Sequence, residues 1–488
     1  MPARTGQEYL NGLKATTREI WLGGERVDSV TEHPLLAPGA EAIAAYYDLQ
    51  HEHPEELLIP DPETGEAINI SHIQPRSIDD LHRRHVGLAR ISELSMGVMG
   101  RTPDYMNVTF AGFADDRQRW AGPDAGNQTG YDNLVAFQKR LRRTDLSLTH
   151  TIIHPTVDRA KDSTFAGNPV PLHKVGETAD AIIVRGCRLL ATLAPYADEQ
   201  TVYPSTPLPM GANDYALSFT VSMDAPGLVF LCRDSGIRPN AHPVDAPFST
   251  RFDEQDALCI FDNVEIPRRN VFIDGSLDVY NQVMGMSPWW PNIMQQTTIR
   301  ALTKLEFAYG LLVRMSEAVN DHSERTLEML GEVLGYIEVT RNAILISEIN
   351  AKTWEGGGVY PEARALHPMR ALLPDWFTRV NDIIKVIGSH NLLAAAGRGA
   401  LDNPRINALM NEFQPGANGM CADDRSAVYR VAWDFTGSLL GSRNELYERN
   451  YLSSAKTNRM ASHRIYSEAN RRRGNELVDK VLADARSR

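Results

Sequence analysis

Hydrophobic and polar positions alternate with three successive textures along the chain. Thr5-Gly6-Gln7-Glu8 is a capping-box pattern, and Tyr9, Leu10 and Leu13 begin an amphipathic helix behind it. Residues 18–27 read as a hairpin turning at Gly23-Gly24. From Pro38 to about Trp120 the period is mostly helical, with a loop over 59–73. Thr102-Pro103 reads as an N-cap followed by proline at the first helical position. The helix it starts runs through Tyr105, Val108 and Gly112, with Arg101 just outside its N-terminus.

Residues 148–159 change the texture. Thr, Ile and Val favour a strand, and Pro155 excludes a helix passing through it. On a strand His150, Ile152 and His154 face one way and Thr149, Thr151 and Ile153 the other. The two histidines then lie roughly 13 Å apart, too far to share one ion. His150 is therefore either a satisfied sheet histidine or a lone functional imidazole beside threonine hydroxyls. Short strand-like runs follow at 181–185, 216–223, 228–231 and 257–261, and Phe261 to Pro267 closes the region, a series that predicts a small β barrel or sandwich.

From about Trp290 the pattern is helical again. Leu302, Leu305, Tyr309 and Leu312 share one face, and Leu327, Leu330, Leu334, Ile337 and Ile344 form a second stripe. Phe377, Val380, Ile384 and Ile387 make a third, and Val428, Val431, Phe435 and Leu439 a fourth. Four such helices in sequence fit a bundle, with the stripes as its core.

Composition narrows the function. The chain has 488 residues, 42% of them hydrophobic, enough for two or three domains. A net charge of −12 argues against nucleic-acid or anionic-membrane partners. Cys187, Cys232, Cys259 and Cys421 are too scattered for a zinc site or a disulfide framework and read as buried thiols of a reducing cytosol, with no metal. The N-terminus has no apolar signal region and no run is long enough to span a membrane, so a cytoplasmic protein is expected. Rossmann, P-loop, zincin and nucleophile-elbow motifs are missing.

Three polar groupings remain. Gly100-Arg101-Thr102-Pro103-Asp104-Tyr105 places fixed positive charge at a helix start with a tyrosine one turn in. The His150 strand is the second. In the third, residues 436–446, Ser442 and Glu445 read as another capping box with Arg443 in the first turn, a good anion site or an ordinary inter-helix turn.

Together, Arg101 to Asn107, His150 to Pro155 with Asp158-Arg159, Leu190 to Pro195, and Gly441-Ser442-Arg443 with Glu445 to Arg449 stand in one order and spacing. The chain resembles the oxygenase component of the 4-hydroxyphenylacetate 3-monooxygenase family, which includes phenol and chlorophenol hydroxylases. The resemblance implies an α+β, acyl-CoA dehydrogenase-like fold: a helical N-terminal domain (1–147), a middle β-barrel (148–275) and a C-terminal four-helix bundle (276–488). It implies a two-component monooxygenase that takes FAD, as FADH2, from a separate NAD(P)H-dependent flavin reductase. With O2 it forms a C4a-hydroperoxyflavin and hydroxylates a phenol ortho to its hydroxyl. Carried over by motif, Arg101, Tyr105 and His150 surround the phenolic oxygen, with His150 as base, Arg101 as counter-charge and Tyr105 orienting the ring. His150, Thr151, Ile152, Thr156, Val157, Asp158, Arg159 and Thr192 contact flavin, as do Gly441, Ser442, Arg443 and Asn444. Ser205 and Thr206 meet the substrate's tail. The loop 204–216 has no basic residue, which leaves open a small phenol, or a tyrosine-like unit carried on a protein. The family implies a homotetramer, a dimer of dimers. Alternatives on the same architecture are an acyl-CoA dehydrogenase-like flavoenzyme, an iron–sulfur hydroxyacyl-CoA dehydratase, which the scattered cysteines argue against, and a catalytically silent flavin-binding scaffold.

Overall fold

The computed structural model describes residues 3–158, 165, 167–285 and 287–488. The capping box closes on both sides: the Thr5 hydroxyl accepts from the Glu8 amide while the Glu8 carboxylate accepts from the Thr5 amide, starting the helix Gly6–Ala15. The Gly-Gly hairpin forms as Glu19–Leu22 paired with Glu25–Arg26, Leu22 opposite Glu25. Glycine is needed at both turn positions because both have positive φ, 61° and 86°.

The helix Pro103–Ala114 organises the N-terminal region. All twelve of its residues are buried, the polar Asp104, Asn107 and Thr109 among them. It packs between Gln128–Thr144 and the long helix Trp289–Glu317, which also receives Ile78–Glu93.

The middle region is two open sheets, where a barrel was expected. The larger runs Glu25–Arg26, Glu19–Leu22, Leu228–Cys232, Asp256–Pro267, Ala181–Thr192, His173–Glu177. The smaller runs Val271–Asp274, Leu217–Ser222, Glu199–Val202, Leu148–Thr151. The sheets stay open because the N-terminal hairpin extends one edge of the larger sheet, while Leu148–Thr151 ends the smaller. The runs expected separately at 257–261 and 261–267 are one strand, Asp256–Pro267, bulged between Phe261 and Val264 and again between Ala257 and Cys259. Near the second bulge the partner strand turns at Leu190, φ 64°, which re-aims its end at Thr192.

Trp289–Glu317, Glu324–Ile349, Met369–Gly388 and Ala422–Thr436 form the bundle, continued by Leu439–Asn450 and Ala455–Ser487. Two stripes differ from expectation. On Glu324–Ile349 the buried face holds Val333, Ile337, Thr340 and Ile344, leaving Leu327 and Leu334 exposed. Leu439 belongs not to the fourth stripe but to the next helix, where it is exposed. Asp434 ties the bundle to the sheet region, accepting from the Phe248 and Ser249 amides at 2.8 and 2.9 Å and from the Ser249 hydroxyl. All four cysteines are free, but of the expected buried thiols Cys259 alone is buried; Cys187 and Cys232 are half-buried and Cys421 is exposed.

Candidate active site

The site forms where an edge strand, a helix start and a bundle helix meet. Leu148–Thr151 pairs in parallel with Glu199–Val202, His150 opposite Thr201. The alternation holds: the Thr149 and Thr151 hydroxyls donate to the Thr192 and Leu189 carbonyls, both at 2.7 Å. That fixes His150 on the other face, where its ring lies between Tyr105 and Tyr203. Each centroid distance is 5.4 Å, with ring planes 24° and 18° apart.

Arg101 stands over the Tyr105 ring at 3.8 Å and over Tyr451 at 4.5 Å, with Tyr447 at 5.8 Å. Among the described residues no carboxylate pairs with its guanidinium, and Nη1 is buried without a hydrogen-bond partner. Burial opposes its charge, but the tyrosines around it outweigh that and hold it protonated. Burial, and secondarily the Arg101 cation, push the His150 pKa well below the usual histidine value. The pair is therefore a bare cation beside a neutral imidazole. Behind them Asp104 is buried and accepts from Gln296 at 3.0 Å, and burial raises its pKa to about 6.

The remaining sequence-predicted residues divide. Thr192 is buried and its hydroxyl donates to Asp256 at 2.7 Å. Thr156 and Val157 are exposed, Asp158 half-buried, and Arg159 lies outside the described residues. Ser205 is half-buried and Thr206 exposed, just beyond Tyr203. His154 serves Arg188, whose Nη1 lies 3.0 Å from its Nε2, and burial drives its pKa to about 2.

The expected capping box at Ser442 is not there. The helix Leu439–Asn450 starts four residues earlier, capped by Ser438, whose hydroxyl accepts from the Gly441 amide at 2.9 Å. Ser442 is exposed one turn inside, and Gly441 and Asn444 are buried. Arg443 is not a free anion ligand: its guanidinium is bidentate on Asp256 at 2.8 Å twice and bonds Glu254 at 3.0 Å. Its charge is held high despite burial, chiefly by Asp256.

Sequence reasoning missed Tyr203, Tyr447, Tyr451, Glu254 and Asp256. The signal for the last two was the acidic run Asp253-Glu254-Gln255-Asp256 heading an apolar strand; carboxylates buried there require cationic partners.

The donor set fits a flavin beside a phenol. Leu148–Thr151 is the last strand of its sheet, so among the described residues its outer edge has no neighbouring strand in that sheet. The orphan Arg101 donor and the neutral imidazole suit a phenolic oxygen.

Residues 5–273 match the family model described as 4-hydroxyphenylacetate 3-hydroxylase N terminal, and residues 281–483 the corresponding C-terminal model. The chain is 33% identical to the 4-hydroxyphenylacetate 3-monooxygenase oxygenase component of Geobacillus sp. (strain PA-9), covering 92% of this chain and 90% of that one. It is 30% identical to the (3S)-3-amino-3-(3-chloro-4-hydroxyphenyl)propanoyl-[peptidyl-carrier protein] monooxygenase of Streptomyces globisporus, with 93% and 86% covered. Among solved structures, the oxygenase component of 4-hydroxyphenylacetate 3-monooxygenase complexed with FAD and 4-hydroxyphenylacetate superposes with a TM-score of 0.92 at 31% identity, covering 99% of both chains. An archaeal 4-hydroxybutyryl-CoA dehydratase from N. maritimus shares the fold alone: TM-score 0.85, 15% identity, covering 98% of this chain and 95% of that one.

Proposed function

The chain belongs to the 4-hydroxyphenylacetate 3-hydroxylase family, and from that premise we propose that it is the oxygenase component of a two-component FAD-dependent monooxygenase that hydroxylates a phenol ortho to its hydroxyl. The observation that carries this is the Arg101 guanidinium, paired with no carboxylate among the described residues and held by tyrosines beside a neutral His150.

A phenolic hydroxyl placed there accepts from Arg101 and donates to His150. As the proton passes to the imidazole, the phenolate pairs with Arg101, so the imidazolium forms beside a neutralised cation. Ionisation makes the ortho carbon nucleophilic, and Tyr105 and Tyr203 hold the imidazole in place. Bound as FADH2 with O2, the flavin supplies an electrophilic oxygen atom, and the products are a catechol, water and FAD. We assign the flavin to His150, Thr151 and Ile152, the turn Thr156-Val157-Asp158, Thr192, and the segment Gly441 to Asn444. In that segment the exposed Ser442, not the ion-paired Arg443, is the side chain free to reach it. Ser205 and Thr206 meet the substrate's tail, and a tail continuing into a carrier-protein arm fits the exposed position of Thr206.

Reduced flavin comes from an NAD(P)H-dependent flavin reductase in the cytoplasm, where those reductants are made. We divide the chain into units 1–147, 148–275 and 276–488: the break between the two family matches, after 273 and before 281, supports the second boundary, and the change from helical to strand texture at Leu148 is the ground for the first. The exposed Leu327, Leu334, Leu345, Ile346 and Ile349 on one bundle helix support a homotetramer; a monomer by light scattering would overturn that assignment. The function is tested with a flavin reductase, NADH, FAD and a panel of free and carrier-bound phenols. A catechol from at least one is expected; hydrogen peroxide alone from every one rejects the reading.

A further inference from the structure

We infer that Glu254 is the positioning residue that sets where the Arg101 cation stands, by gripping its backbone rather than its guanidinium. The inference rests on the phenol site proposed above.

One oxygen of the Glu254 carboxylate accepts from two consecutive amides, Gly100 at 2.6 Å and Arg101 at 2.5 Å. The other accepts from Arg443 at 3.0 Å. Glu254 is 1% exposed, so these are charge-assisted bonds in a dry setting, about twice as strong as neutral ones. A Cβ at Gly100 would sit 2.3 Å from the Tyr447 hydroxyl oxygen. The segment that delivers Arg101 is thus held by a carboxylate and closely packed by a tyrosine.

The chemistry explains this arrangement. A carboxylate bonded to the guanidinium would fix Arg101 but neutralise the charge a phenolate needs. A carboxylate bonded to the backbone fixes the residue and leaves the cation's donors open, as the unpartnered Nη1 shows. The second oxygen extends the grip. Arg443 sits on the helix that presents Tyr447 and ends at Tyr451, two of the rings facing Arg101. Arg443 is also bidentate on Asp256, which takes the Thr192 hydroxyl and Arg233 Nε at 2.9 Å. Through Glu254 the guanidinium and the rings around it are therefore referred to one buried point.

The test reads the ionisation of a bound phenol in flavin-free protein, using 4-nitrophenol, whose phenolate is coloured. The parent is expected to favour the bound phenolate about tenfold, lowering the ligand's apparent pKa by about one unit. Glu254→Ala frees the segment and should abolish that preference while circular dichroism stays parental. Glu254→Gln keeps an acceptor for the two amides, but a neutral and weaker one, and should retain part of it, about threefold. Arg101→Ala removes the cation itself and should abolish it. If Glu254→Ala folds and keeps the parental pH profile, the inference is wrong. If Glu254→Ala does not fold, a parental profile in Glu254→Gln is enough to reject it. If neither the parent nor Arg101→Ala shifts the ligand's pKa, the phenol site itself is misassigned, an outcome distinct from a parent that shifts it and a Glu254 variant that shifts it equally.

Discussion

Buried ionisable residues at the site make its stability depend on acid in two opposite ways. His150 at the site, and His367 where it stacks on Trp290 in the bundle, have pKa values pushed down by burial, the latter to about 4. As pH falls below about 6.5 the unfolded chain takes protons these sites refuse, so each histidine lowers stability by up to about 1.4 kcal/mol per pH unit. Asp104, raised from 3.8 to about 6, works the other way. Between those values the folded carboxyl keeps a proton the unfolded one has lost, so its contribution grows as pH falls. Asp104→Asn, which can still bond Gln296, should therefore steepen the acid loss of stability between pH 6 and 4, read as urea midpoints; an unchanged slope contradicts the assignment. Arg443→Ala leaves Glu254 buried without its counter-charge and should cost about 3–5 kcal/mol by urea denaturation; a parental midpoint would show the network to be slack. The placement of Arg101 and Tyr105 at a helix start and of His150 on a strand was legible because proline, threonine and alternation mark those elements, whereas their proposed joint role came from the family resemblance. The misplaced cap shows where that legibility ends. Ser438 and Ser442 both stand on a serine–glycine background, and only packing decides which one starts the helix. The acidic run shows that Glu254 needs a cationic partner but not which one, because its partners lie over 150 positions away.

At the scale of elements, the strand alternation and the helix start at Pro103 were readable because local sterics fix them. The extent of the core was not. Leu327 and Leu334 fall in an apolar stripe as regular as that of Ile337 and Ile344, yet only the latter pair is buried; periodicity reports a face, not what covers it. Most strands of the two sheets were expected, but His173–Glu177, Glu199–Val202 and Val271–Asp274 were not, and openness depends on which edges the N-terminal hairpin extends. The contact that seats the site's helix is Gly112 against Trp289. A Cβ there would lie 2.8 Å from Trp289 Cα and 2.9 Å from its amide nitrogen, backbone atoms that cannot rotate away. Gly112→Ala should cost about 1–3 kcal/mol, read as a lower urea midpoint at unchanged m-value. A neutral result would mean that the Pro103–Ala114 and Trp289–Glu317 helices slide past one another freely.

At the scale of the molecule, helices and sheets converge so that a strand histidine, a helix-start arginine and bundle tyrosines share one buried space. The fold alone does not decide the chemistry, since a dehydratase shares it at 15% identity; the side chains in that space do. The proposed role of Arg101 and His150 is to ionise a phenol so that it captures an oxygen atom. The direct measurement is mass spectrometry of product formed from ¹⁸O2, reduced FAD and a phenol, by the parent and by His150→Ala. The parent is predicted to give a catechol with one ¹⁸O ortho to the original hydroxyl. His150→Ala should still consume O2 but release it as hydrogen peroxide, with catechol formation lower by a factor on the order of 10²–10⁴. Catechol formed by His150→Ala at the parental rate would contradict the role of the base, and a parent that oxidises an acyl thioester but oxygenates no phenol would contradict the account altogether.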